Sequence, residues 1–173
     1  MACSTQINAG INARCDTSMG GIVEVAIANY VEGIFTETTD KQKVTVEDDS
    51  VAWYKFSFRK GTSQMTSTLN IDDANGINYV STELQMLFGR MDTDKRLAIA
   101  ALAQAEMVAI VKDCNGKYWA LGMTEPVTAN GGEGATGQAR GDSNHYSITL
   151  LDTHTTFPME VENGAEIMEA AQN

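Results

Sequence analysis

A chain of 173 residues with 43% hydrophobic and 20% charged side chains and only two prolines has the composition of an ordered globular protein, and its length suits a single domain, 1–173, with one core. Twelve basic against 23 acidic residues leave a net charge of -11, which opposes tight binding to a phosphate backbone, because that binding is driven by displaced counterions. No run approaches the roughly 20 apolar residues of a membrane span, and MACSTQINAGINARCD lacks the basic and apolar parts of a secretory signal, so a soluble chain made in a cytoplasm is expected, with no membrane partner.

The first strand is expected in GGIVEVAIANY, where Val23, Val25 and Ile27 alternate with Glu24 and small residues at the two-residue period of a half-buried strand. The Thr-rich, charged stretch 35–50 reads as a long exposed arm, with at most a short strand at Val44 to Val46. In AWYKFSFRK, Tyr54, Phe56 and Phe58 point one way, the pattern of a strand with one apolar face. Two extended runs then flank Asn75-Gly76, a dipeptide suited to a tight hairpin turn, and on the return run Val80, Thr82, Leu84, Met86 and Phe88 share a face.

Asp92 or Thr93 caps the one confident helix, roughly twelve residues long, whose stripe Leu97, Ala98, Ala101, Leu102 and Ala105 is expected to be buried. EMVAIVKD returns to strand character, Asn115-Gly116 marks a second hairpin, and KYWALG runs back beside it. Of the aromatic pair that follows, Trp119 is expected in the core and Tyr118 outside. Residues 130–142 form a glycine-rich loop, and NHYSITLLD and TFPMEVE are the last strands, with Pro158 placing the final one at a sheet edge. The acidic tail 163–173 is either a short helix or a flexible end. Seven to nine strands with one inserted helix predict a mainly β fold, an antiparallel β-sandwich or barrel with one flanking α-helix.

Gly132, Gly134 and Gly137 match GxGxxG, but the pattern opens no helix after a buried strand, and Gln138-Ala139 stand where a phosphate-binding P-loop needs Lys and Ser or Thr. Arg140-Gly141-Asp142 is ordinary loop chemistry before a strand. His145 and His154 lie near Asp142 and Asp152 without a nucleophile motif, and the carboxylates of Asp72-Asp73 and Glu47-Asp48-Asp49 lack the ligand ladder of a calcium loop. Cys3, Cys15 and Cys114, with His145, make a metal set that can be drawn, but free thiols in a reducing compartment are the expectation. No catalytic, metal or cofactor residue is assigned.

KRLAIAALAQAEMVAIVKDCNGKYWALG and GGEGATGQARGDSNHYSITLLDT, with the pattern GxARGDxNxYxITL, resemble small virion structural proteins of tailed bacteriophages, especially phages of Bacteroidetes including the crAss-like group. The likeness covers most of residues 15–155 and leaves out the first dozen residues, the arm and the acidic tail. It implies a tail-tube-like fold and a non-enzymatic subunit of the virion tail or head-tail junction. Such subunits form homo-oligomeric rings around a channel through which DNA passes without specific binding. Hairpin 62–88 would then form the wall, and the arm, glycine loop and tail would reach adjoining rings or neighbouring tail or connector proteins. Candidate interface residues are Asn75, Gly76, Tyr118, Arg140 and Asp142. The alternatives are a capsid decoration protein and, from another class, a small-ligand-binding β-barrel.

Overall fold

The computed structural model describes residues 10–11, 17–39, 42–47, 50–72 and 74–172. In chain order the elements are β1 (Ile22–Asn29), β2 (Phe35–Glu37), β3 (Lys43–Val46), β4 (Tyr54–Ser57), β5 (Gln64–Asp72), β6 (Ile77–Gly89), α1 (Thr93–Leu102), β7 (Met107–Asp113), β8 (Tyr118–Leu121), β9 (Thr128–Ala135), β10 (His145–His154), β11 (Glu160–Val161) and α2 (Gly164–Ala170). They build a mainly β sandwich: a seven-stranded sheet in the order β2-β3-β11-β8-β7-β1-β4 faces a four-stranded sheet in the order β5-β6-β10-β9. The sheets do not close into a barrel. The pairings between these strands are antiparallel except β3 with β11, where Glu160 and Val161 run beside Lys43 and Val44, and Gln172 adds a single parallel bridge to Tyr54.

Two apolar clusters replace the single core expected from length. Between the sheets lie Val25, Ile27, Leu84, Met86, Ala109, Val111, Leu121, Ile148 and Leu150. On the other face of the seven-stranded sheet lie Ala26, Ala28, Val44, Val46, Trp53, Val108, Ile110, Val161 and Met168. β1 and β7 are therefore buried on both sides, as their near-continuous apolar runs require. The expected core position Val23 is instead exposed, because the β1–β7 register shifts between Ile22 and Glu24 and Ile22 takes the inward place.

The second cluster uses segments that composition marks as exposed. Within the arm 35–50, β2 and β3 pair as a hairpin, and Val44 and Val46 are buried. The tail forms α2, burying Met168, and Ala171 is buried just beyond it. Asn163 joins the two, its side chain accepting from the Val46 amide at 3.1 Å and donating to the Val46 carbonyl at 2.8 Å, so a side-chain amide stands where a further strand would pair. Pro158 does not mark a sheet edge, since β11 lies between β3 and β8 and the proline simply precedes it. Tyr118 is likewise not outside: it packs into this cluster, while Trp119 packs between the sheets and donates to Asp113 at 3.2 Å.

Helix α1 is capped by Asp92, whose carboxylate accepts from the Lys95 amide at 2.9 Å. Its inward contacts come from Ile99 and Leu102, with Lys95 one turn before them on the same face and bonded through its ammonium to Asp92 and the Arg90 carbonyl. The expected stripe is thus rotated, with Leu97, Ala98 and Ala101 exposed and Ala105 half-buried beyond the helix end. A lysine that lays its stem on the core and turns its ammonium out is invisible to an apolar count. Both Asn-Gly turns are also longer than two residues: Asp72 pairs with Ile77 across a four-residue loop, and Asp113 bonds Lys117 across three, with positive φ at Gly76 and Gly116 alone among their described residues.

Replacing Asn163 by Ala should strip both backbone groups of Val46 of their partners and lower stability by about 1–3 kcal/mol, read as a shift in the midpoint of urea unfolding with an unchanged slope.

Candidate assembly surface

The four-stranded sheet has the features a docking surface needs. Its two edges, β5 and β9, each pair with one neighbour only, leaving a row of backbone donors and acceptors open among the described residues. Its inner face is hydrophobic, with Met65, Val80, Leu84, Met86, Ile148 and Leu150. Its outer face carries Gln64, Thr66, Thr68, Ser81, Glu83, Gln85, Ser147, Thr149 and Glu133, with Leu87 and Leu151 among them, fixed by a register in which Thr66 pairs with Glu83, Gln85 with Thr149, Ser147 with Leu87 and Glu133, and Leu151 with Glu83. No lysine or arginine occurs in any of the four strands. At the end of β6, however, an added Cβ on Gly89 would meet the Arg59 guanidinium at 3.8 Å, so one arginine from outside the sheet lies against it.

Residues 130–142 are not a loop throughout. Residues 130–135 belong to β9, and only 136–142 turn back towards β10. The glycines let β9 lie flush on its neighbour: an added Cβ at Gly132 would come within 2.6 Å of the Ser147 carbonyl oxygen, and one at Gly134 within 2.9 Å of the Tyr146 ring. Gly137 takes a φ of 74° inside the turn, and the next element is strand β10, so the GxGxxG spacing belongs to an edge strand and its turn. Asp142 closes this turn by accepting from the amides of Gln138 and Ala139, each at 2.7 Å. Those bonds, that from Ala139 first, hold its carboxyl below the usual range.

The five candidate interface residues do not gather in one place. Asn75 and Gly76 sit at the β5–β6 tip, where the Asp72 carboxylate accepts from the Asn75 side chain at 2.7 Å and from the Ala74 amide at 3.1 Å. Arg140 and Asp142 lie in the turn before β10, whose first residue, His145, pairs with Gly89 at the far end of β6. The two pairs therefore mark opposite ends of the sheet and opposite edges. Tyr118 belongs to neither, since an added Cβ at Gly164 would meet its side chain at 2.5 Å.

Of the drawn metal set, Cys3 and Cys15 lie outside the described residues, as do Asp48, Asp49 and Asp73 among the clustered carboxylates. Cys114 is a half-buried free thiol, and His145 lies 3.6 Å from Glu133. Among the described residues no group of three or more His, Cys, Asp or Glu side chains is placed to hold a metal ion.

Two features escaped the sequence reading. One is the apolar character of the hairpin tip, where Leu69, Ile71, Ile77 and Tyr79 are exposed; the signal was present in NIDDANGINY, four large residues around a turn. The other is Asp152, which occupies an inward position on β10 and accepts from the Gly122 amide at 3.0 Å, tying the end of β8 to the opposite sheet. Gly122 has a φ of 85°, and an added Cβ would press on the Met107 carbonyl at 3.0 Å, so the amide is presented by backbone that only glycine fits.

Compared with known proteins, the chain matches no family model, no curated protein and no solved structure.

Burial pushes the Asp152 carboxyl above its ordinary value, against the opposing pull of the Gly122 amide and of His154, while Glu125 adds to the rise. The folded state then holds this proton more tightly than the unfolded chain, so its contribution to stability is present below the ordinary carboxylate value and falls as pH rises through the raised one. Asp142 and Asp72, held low, act in the opposite sense, their contribution being lost as pH falls through their depressed values. Asp152→Asn, which keeps an acceptor for Gly122, should gain stability relative to the parent at pH 7 and show no such advantage at pH 3. Urea unfolding at the two pH values measures the difference.

Proposed function

We propose that this protein is a non-enzymatic structural subunit that assembles with copies of itself into rings, as the tail tube or head-tail junction of a phage virion. The observation that carries the reading is the four-stranded sheet: two open edges on a surface whose strands contain no lysine or arginine. Pairing β5 of one copy with β9 of the next is a heterologous contact, which repeats around an axis until the ring closes. The outer faces, polar apart from Leu87, Leu151 and, at the tip, Ile77 and Tyr79, then line a continuous inner wall. Glu83 and Glu133 give that wall negative charge and no strand in it contributes a lysine or arginine, with Arg59 lying against Gly89 at one end; an acidic wall suits a channel through which DNA slides without adhering. The resemblance of GxARGDxNxYxITL and the NGKYW hairpin to phage virion proteins supports the same reading.

Negative-stain microscopy with size-exclusion light scattering, over a range of protein and salt concentration, tests the proposal. Rings of fixed subunit number, or stacked tubes, that fail to retain duplex DNA are the expected result. A particle that stays monomeric throughout, or rings that hold DNA tightly at physiological salt, would overturn it.

A further inference from the structure

Four Asn-Gly pairs occur in the chain: Asn75-Gly76, Asn115-Gly116, Asn130-Gly131 and Asn163-Gly164. An asparagine followed by glycine is the pair most open to attack by its own backbone, because no side chain shields the glycine nitrogen and its dihedral angles turn freely. The fold treats the four differently. Asn115 is pinned to Met19, accepting from its amide at 2.8 Å and donating to its carbonyl at 3.0 Å, and the Gly116 amide is committed to the Asp113 carbonyl at 3.2 Å. Asn163 bonds both backbone groups of Val46, and Gly164 is buried against Tyr118. Asn130 and Gly131 lie within β9, where the ladder with β10 holds the backbone extended.

Asn75 has none of these restraints. It is exposed at the β5–β6 tip, outside both strands, and among the described residues its side chain makes one bond, to the Asp72 carboxylate at 2.7 Å in the same turn. Gly76 has open space where a side chain would stand and a φ of 66°. A bond made within an exposed turn breaks when the turn opens, which requires no strand of the sandwich to move.

We propose that Asn75-Gly76 is a site of self-modification, converted without an enzyme to an aspartyl or isoaspartyl residue while the other three pairs are spared. The Gly76 amide nitrogen loses its proton to solvent base and bonds to Cγ of Asn75. The bond from Cγ to Nδ2 breaks, and Nδ2 leaves as ammonia after taking a proton from water. Proximity makes the attack effective, since nucleophile and carbonyl belong to adjacent residues. Water then opens the cyclic imide at either carbonyl, leaving aspartate in the ordinary backbone or isoaspartate, whose chain runs through the former side chain. Water enters, ammonia leaves, and nothing is oxidised or reduced. Both products put a carboxylate in place of the amide that donates to Asp72. The Asn75 side chain is the first of the groups that hold the Asp72 carboxyl below its usual range, so the turn loses a tie and gains a repulsion. This chemistry stands independently of the assembly reading.

Peptide mapping by mass spectrometry, on the full chain incubated in mildly alkaline buffer either folded or in urea, tests the assignment, with isoaspartyl methyltransferase labelling to find the rerouted backbone. In the folded chain the Asn75 peptide should show the amide-to-acid mass gain at least about tenfold faster than the other three, each of which must first lose its bonds or its place in the ladder. In urea the four rates should converge. A peptide of Asn115, Asn130 or Asn163 that keeps pace with Asn75 in the folded chain overturns the proposal, as does an Asn75 that stays intact when folded and converts only in urea. So does an order of rates that urea leaves unchanged, since local sequence rather than the fold would then set it. Asn75→Asp, made directly and shown by circular dichroism melts to fold, should be cut faster than the parent by thermolysin in the turn between Asp72 and Ile77. Equal cleavage overturns the loosening of the turn.

Discussion

The architecture depends on the pairing of β1 with β7 at the centre of the seven-stranded sheet. From Val25 to Ala28 and from Met107 to Val111 neither strand offers a polar side chain, and cross-strand pairs alternate between the two faces: Val25 with Val111 and Ile27 with Ala109 on one, Ala26 with Ile110 and Ala28 with Val108 on the other. A ribbon apolar on both sides must be covered twice. The four-stranded sheet covers the first face. The second is closed by hairpin β2–β3 and α2, with Asn163 bonding one to the other. The small residues Ala26, Ala28 and Ala120 line that second face, so the covering elements can approach closely.

Because the four-stranded sheet spends only its inner face on this task, its outer face and both edges are left for other contacts. Its attachment is mostly apolar and so non-directional, which makes the few polar ties between the sheets informative. The bond from the Gly122 amide to Asp152 fixes how the end of β8 lies against β10. A buried carboxylate is a costly way to accept one hydrogen bond, and an amide or hydroxyl would accept it without a charge to desolvate. Tying position rather than adding stability is the account that fits.

How much of this was legible in sequence differed by the kind of signal. Strict alternation in Val80, Thr82, Leu84, Met86 and Tyr146, Ile148, Leu150 placed β6 and β10 and their inward faces, because a two-residue period survives any tertiary arrangement. The helix was equally plain, and of its two candidate caps, Asp92 and Thr93, the structure uses Asp92. The short strand at Val44 to Val46 and a helix in the tail were both read, but composition hid the burial of the arm's two valines, and an edge strand built on Gly132 and Gly134 has no side-chain pattern to read. Tyr118 and the rotation of α1 were beyond reach because both turn on which element packs where. The five interface candidates were chosen from turns and an aromatic pair, whereas the apolar residues flanking the first turn, written plainly in NIDDANGINY, were passed over, and only burial shows that all four are exposed.

The glycines of β9 carry a further consequence for assembly. A strand edge with little side-chain content pairs through its backbone alone, and Gly-rich strands specify register weakly, since a slip of two residues exchanges one glycine for another. Pairing of β5 with β9 can therefore supply adhesion between copies without fixing how far one sheet slides along the next. A ring of defined geometry needs a second contact, remote from that edge and made by side chains of distinct shape.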